Sequence, residues 1–253
     1  MNYPRKKTRE ERLELAQEIL VKLQSRYSEE LLAVAISGSI SRGEDRDFSD
    51  VDMVAIVQGE KIAYDYNAIV NGLKYTIDIF SQDIVLSKIT SINIRWPLLV
   101  GKFVSALPIY DDGHLFFSFK AIFDEVVTRN FDPYVKQLFV EQIYEECNKF
   151  INTTYYGTTE QVNYNAYHLF TKMVSFLGLI NKTFYTSAIS LPEKAMSLPI
   201  NFSSFQVLGK SITTTTQQEV GELRIIVQNM LNEVIDYLKS RNIEFEEQGV
   251  FLT

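Results

Sequence analysis

The chain has 253 residues, enough for one large domain or two of about 120 each. Hydrophobic residues make up 46% and charged residues 23%, an ordinary soluble globular balance, with 14 Tyr and 17 Phe available for core and pocket walls. The net charge of −7 argues against a nucleic-acid-binding surface, which needs clustered Lys and Arg, and leaves room for a cationic small-molecule partner.

Met1 to Lys7 is basic but has no apolar centre, so it does not read as a secretory signal. Thr8-Arg9-Glu10-Glu11 is a capping box. Leu13, Ala16, Leu20, Leu23 and Tyr27 follow at helical spacing and predict a helix to about Tyr27. Leu31 to Ser37 and Val51 to Val57 are nearly continuous apolar runs, as buried strands are. Gly59 to Asn71 reads as a mixed connection. Leu73 to Phe80 alternates, with Tyr75, Ile77 and Ile79 on one face and Thr76, Asp78 and Phe80 on the other. Gln82 to Ile89 reads as a short helix with Ser81 as N-cap. The apolar stretch Trp96 to Tyr110 is broken by Lys102 and two prolines, and is too short to cross a bilayer. Its second half, Phe103 to Tyr110, reads as a strand closed by the turn Asp111-Asp112-Gly113.

From His114 onward the period is helical. Helices are predicted over 114–128, from Asp132-Pro133 to about Thr153, over 160–182 and over 217–240, with shorter pieces near Ser190 and Ser203. The tail from Ile243 to Leu252 is a candidate edge strand. Cys147 is the only cysteine, which excludes an intrachain disulfide and favours a reducing, cytoplasmic compartment. It reads as a buried filler, and His114 and His168 fall in no zinc pattern. The expected architecture is α/β (α+β): a mixed sheet with flanking helices over residues 1–125, then a helical bundle over 126–253.

The chemistry is concentrated in two segments. Gly38-Ser39 forms a turn at a helix start, where backbone N–H groups suit phosphate. After ten intervening residues Asp50-Val51-Asp52 opens a strand and puts two carboxylates on one side of it. Paired carboxylates repel unless a cation lies between them. Asp78 sits inside an apolar strand, where an isolated acid is costly to bury. If that strand lies beside Val51 to Val57, Asp78 joins the pair, and three such ligands suit Mg²⁺ or Mn²⁺. Farther on, Glu141, Glu145 and Lys149 share one face of the helix that starts at Asp132.

The Gly38-Ser39 turn followed by Asp50-Val51-Asp52 resembles the signature of the polymerase-β-type nucleotidyltransferase superfamily. Thr8 to Arg12, Trp96-Pro97-Leu98, Leu107 to Asp111, Glu145 with Lys149, and Tyr185-Thr186-Ser187 resemble, in order, the kanamycin (aminoglycoside 4′-O-) nucleotidyltransferase family. The resemblance implies metal-dependent transfer of a nucleoside monophosphate, AMP from ATP or the equivalent from another nucleoside triphosphate, to a hydroxyl of a small acceptor, with an aminoglycoside foremost. It implies that Asp50, Asp52 and Asp78 hold Mg²⁺ or Mn²⁺, and that Gly38, Ser39 and Arg42 bind phosphates. It further implies that Glu145 is the general base, that Lys149 neutralises the α-phosphate, and that the protein is a homodimer. Alternative acceptors are a lincosamide, another metabolite or a protein hydroxyl; a catalytically silent nucleotide-binding protein is the rival from a different class. Arg95 stands just before Trp96, and only Glu60 and Asp65 are acidic between Val57 and Asp78, so few acids are present to meet a polyamine.

Overall fold

The structure, a computed structural model, describes residues 3–213 and 219–245. The chain divides into two compact units, one of residues 1–92 and 98–129, the other of residues 93–97 and 130–253.

The first unit is built on a five-stranded mixed sheet. Its strands are β1 (Leu31–Ile36), β2 (Val51–Val57), β3 (Ala63–Val70), β4 (Leu73–Ser81) and β5 (Leu107–Tyr110), in the order β3-β4-β2-β1-β5. β2 and β4 run parallel; the other neighbouring pairs are antiparallel. The strand beside Val51–Val57 is therefore the one that carries Asp78, which meets the condition for Asp78 to stand near Asp52.

Helix α1 (Arg9–Tyr27) starts at the expected capping box, with both reciprocal bonds between Thr8 and Glu11 present. Its buried stripe of Ala16, Ile19, Leu20 and Leu23 packs on one sheet face, against Val34, Ile36, Val51, Met53, Ala55, Val57, Ile77 and Ile79. Burying such side chains contributes roughly 1.5–3 kcal/mol each and fixes which face is core. Strand parity then sends Asp52, Thr76, Asp78 and Phe80 to the opposite face. The short helix α2 (Gly38–Ser41) follows β1 directly.

Helices α3 (Gln82–Thr90), α4 (Trp96–Leu99), α5 (Gly101–Val104) and α6 (Leu115–Val126) complete this part of the chain. α3 and α5 cover the Phe80 end of the second face: Phe103 meets Phe80 edge-on at 5.7 Å, and Lys88 lies over the Phe80 ring.

Two expectations need correction. The connection 59–71 contains β3, an edge strand with almost every residue exposed. Because neither face is buried, it shows no apolar alternation; its marker is the two-residue hairpin turn Asn71-Gly72, both at positive φ. Phe103 to Tyr110 is not one strand, since 101–104 is helical and only Leu107–Tyr110 pairs, along β1. Pro108 is tolerated there because β5 is an edge.

The second unit is helical: α7 (Asp132–Leu138), α8 (Tyr144–Tyr156), α9 (Thr159–Ile180), α10 (Leu191–Met196), α11 (Ser203–Thr213) and α12 (Val220–Ser240). α7 and α8 join through a π-turn, Phe139–Ile143, so the helix expected from Asp132 continues to Tyr156 with one widened turn. α9 is the core helix, with Leu169, Phe170, Met173, Phe176 and Leu177 fully packed and a capping box at Thr158. A Cβ at Gly178 would stand 2.5 Å from Pro97 Cβ, so only glycine allows that approach. Cys147 is buried, and burial pushes its thiol up to about 12. Residues 243–245 form no strand, and the remainder of the expected edge strand lies outside the described residues. No helix among the described residues is long and apolar enough to cross a membrane.

Candidate active site

Register places the acids. Asp52 on β2 is level with Thr76 on β4, and Val54 is level with Asp78. Asp52, Thr76 and Asp78 thus share the face opposite α1, and Asp50, two residues before Asp52, falls on the same side. Asp50 meets Lys74 Nζ at 3.8 Å, an open and weak pair. Asp78, largely buried, is ion-paired with Lys102 of α5. The carboxylate of Asp52 has no hydrogen bond or ion pair among the described residues. Burial first, and then the neighbouring Asp50, push the Asp52 carboxyl above its usual range; Lys102 and Lys74 oppose that shift.

The Gly38 turn lies directly against this carboxylate. Gly38 has φ +67°, in the left-handed region, and a Cβ there would stand 2.7 Å from Asp52 Oδ2. Glycine is needed on both counts. The backbone N–H of Ser37 donates to the Asp52 carbonyl at 2.8 Å, which ties the end of β1 to the start of β2. Ser37 Oγ is buried and, among the described residues, is the buried side-chain polar atom with no partner. Ser37 follows Ile36, which faces α1, so parity turns its hydroxyl to the Asp52 side. Arg42 braces the turn: its Nη1 donates to the Gly38 carbonyl and its Nε to Glu44 at 2.9 Å. Three guanidinium N–H groups remain for other acceptors.

These residues fit a divalent cation in part. Asp50 and Asp52 are a half-shielded carboxylate pair of the kind a hard cation relieves. Asp78 is engaged by Lys102, and among the described residues no three of His, Cys, Asp and Glu gather as ligands for one ion.

Asp45 contrasts with this pair. Its buried carboxylate is held by Arg9 and by Arg12, whose Nη2 and Nε lie at 2.6 and 3.0 Å from Oδ2. Burial works to raise the Asp45 carboxyl, but the Arg12 and Arg9 guanidinium groups prevail and hold it below the usual range. Neither this clasp nor Lys102 and Lys74 was expected from sequence. The one available signal was Lys102 itself, the lone charge inside the apolar stretch 96–110.

In the helical unit, Glu145 is exposed on α8 and meets Lys149 Nζ at 2.7 Å; Glu146 meets the same ammonium at 3.2 Å. Hydrogen bonds donated by Lys149 to Glu145 and Glu146 raise its pKa, so it is fully charged at neutral pH. Glu141 is bonded by Gln137 Nε2. Lys149 also lines an open cavity of about 570 Å³, with Asn152, Tyr156, Gln161, Tyr164 and Asn165.

Comparison with known proteins gives the chain a family. Over 196 residues the chain is 26% identical to aminoglycoside nucleotidyltransferase (4′) from Staphylococcus aureus, an alignment covering 78% of each protein. The enzyme of the same name from a Bacillus species matches equally. A nucleotidyltransferase-like protein from Exiguobacterium sibiricum 255-15, of solved structure, has a TM-score of 0.52 and 11% identity. That match covers 89% of this chain and 75% of the other, and shows a shared fold. The family model of the KNTase C-terminal domain matches residues 113–244, just over half of the chain. The chain therefore belongs to the kanamycin nucleotidyltransferase family and is a nucleotidyltransferase.

Proposed function

We propose that this protein transfers a nucleoside monophosphate, AMP from ATP, to a hydroxyl of an aminoglycoside, and that Mg²⁺ or Mn²⁺ is required. The observation that carries the metal reading is the unpaired Asp52 carboxylate beside Asp50, set against the Gly38 turn. The acceptor class rests on the two aminoglycoside nucleotidyltransferase (4′) relatives.

Asp50 and Asp52 are the residues that would hold the ion; Asp78 can join only if Lys102 withdraws. A bound divalent ion supplies neutralisation of the triphosphate and of the departing pyrophosphate. The N–H groups of the Gly38-Ser39 turn and the spare donors of Arg42 bind phosphate oxygens. Glu145 takes the proton of the acceptor hydroxyl. The hydroxyl oxygen bonds to the α-phosphorus, the bond from that phosphorus to the β-phosphate bridging oxygen breaks, and pyrophosphate leaves. Lys149 balances charge on the α-phosphate during transfer. The residues 1–125 carry the nucleotide and metal functions in this reading, and a homodimer is the working form.

The test is pyrophosphate release and acceptor mass gain with ATP and Mg²⁺ over a panel of aminoglycosides and lincosamides. Glu145→Gln is expected to lower turnover on the order of a hundredfold or more, the usual worth of a general base. Arg95 and the scarcity of acids in 57–78 favour a second reading, the same chemistry on a less cationic acceptor such as a lincosamide. Mass gain on lincosamides alone selects it. No pyrophosphate release with any acceptor would leave a nucleotide-binding protein.

A further inference from the structure

The half of the sheet face covered by α3 and α5 ends at one ion pair. Phe103 packs on Phe80, and the neighbouring Lys102 reaches Asp78, which is level with Val54 and one step along the face from Asp52. Beyond that line the face carries Thr76, Asp52, Asp50 and Lys74. Thr76, level with Asp52, is uncharged, and its hydroxyl donates to Asn67 Oδ1 at 2.8 Å. The third acid is thus occupied, and the position beside Asp52 on β4 holds no acid.

Lys102 is also the cation that acts most strongly on Asp52, ahead of Lys74. Its stem extends from a helix pinned by Phe103, which is itself buried. Asp78 has a side chain only 14% exposed, so withdrawing the ammonium would leave a largely desolvated, uncompensated charge. The ammonium thus compensates a carboxylate that the fold shields from water.

Resting on the nucleotidyltransferase reading, we propose that Lys102 is a resident cation of this site: it occupies Asp78 in the place of a second divalent ion. The chain then binds a single divalent cation, through Asp50 and Asp52. The unpartnered Ser37 hydroxyl on the same side is a further oxygen available to that ion or to its water shell.

Counting bound Mn²⁺ on the full chain by electron paramagnetic resonance tests this. One Mn²⁺ per chain is expected, lost with Asp50→Asn. Lys102→Met removes the ammonium and releases Asp78, so Mn²⁺ affinity should rise on the order of tenfold. Adding Asp78→Asn to Lys102→Met should return the affinity to near the starting value, a double-mutant coupling through the pair. Two Mn²⁺ on the unaltered chain overturns the inference, as does a Lys102→Met protein whose affinity is unchanged or weaker, or a gain that persists in the double variant. The count on the unaltered chain stands even if Lys102→Met fails to fold. No Mn²⁺ binding, or binding unaffected by Asp50→Asn, overturns the metal reading itself together with the role of Lys102.

Discussion

Two carboxylates of the same unit, Asp45 and Asp52, lie seven residues apart and have opposite electrostatics. Asp45 is enclosed by Arg9 and Arg12, and its charged form is favoured despite burial. Asp52 is partly desolvated beside Asp50 with no ion pair of its own among the described residues, and its charged form is disfavoured. A carboxylate that finds its cations within the fold is a structural clasp. One that lacks them is, on the proposed reading, where a cation from outside would bind.

The sharpest way to break this contrast is through chemistry. Asp50→Asn or Asp52→Asn should abolish pyrophosphate release, a loss of roughly a thousandfold or more for an electrostatic group at a reacting phosphate. Circular dichroism should show the fold intact. Turnover that survives either change would mean that Asp52 is a second clasp.

Breaking the Asp45 clasp should act on stability instead. Arg12→Ala leaves a buried charge short of its main partner and is expected to cost about 3–5 kcal/mol, read by denaturant unfolding. A cost under about 1 kcal/mol would class it with exposed surface pairs.

Gly38→Ala tests the contact between turn and acid. Forcing a side chain into the left-handed region costs about 1–2 kcal/mol, and the new Cβ would also push Asp52 aside. Weakened Mn²⁺ binding should accompany the lost stability.

Proton linkage offers a smaller effect of opposite sign at the two residues. The lowered Asp45 pKa contributes stability that is present above the ordinary carboxylate value and is lost as pH falls through the folded value. The raised Asp52 pKa contributes stability that is present below the ordinary value and is lost as pH rises through the folded one. Without divalent ions, Asp52→Asn should therefore melt higher than the unaltered chain at neutral pH, and the gap should close on acidification toward the ordinary carboxylate range. Adding Mn²⁺ at neutral pH should raise the melting temperature of the unaltered chain only.

Smallest of all is Ser37→Ala. Removing a buried hydroxyl with no partner among the described residues should leave stability unchanged or raise it by up to about 1 kcal/mol, measured by the same unfolding curves.

Much of this was readable in the chain. The Thr8 capping box, the two apolar strands and the alternation that placed Asp78 opposite Ile77 each depend on neighbours in sequence. β3 escaped because an edge strand exposed on both sides has no burial contrast to print a period, although Asn71-Gly72 marked its turn. The 101–104 helix escaped because a short apolar run serves a strand or a helix equally well.

By itself the sequence determined the pieces of the candidate site in the sheet: the Gly38-Ser39 turn and the same-side placement of Asp50 and Asp52. Those features are set by local geometry, a left-handed glycine and the two-residue repeat of a strand. Only tertiary structure decided which acids have cations. Lys102 lies 24 residues from Asp78, and Arg12 lies 33 from Asp45. Charge pairing acts through space and over a few ångströms, so its partners are settled by packing rather than by order along the chain.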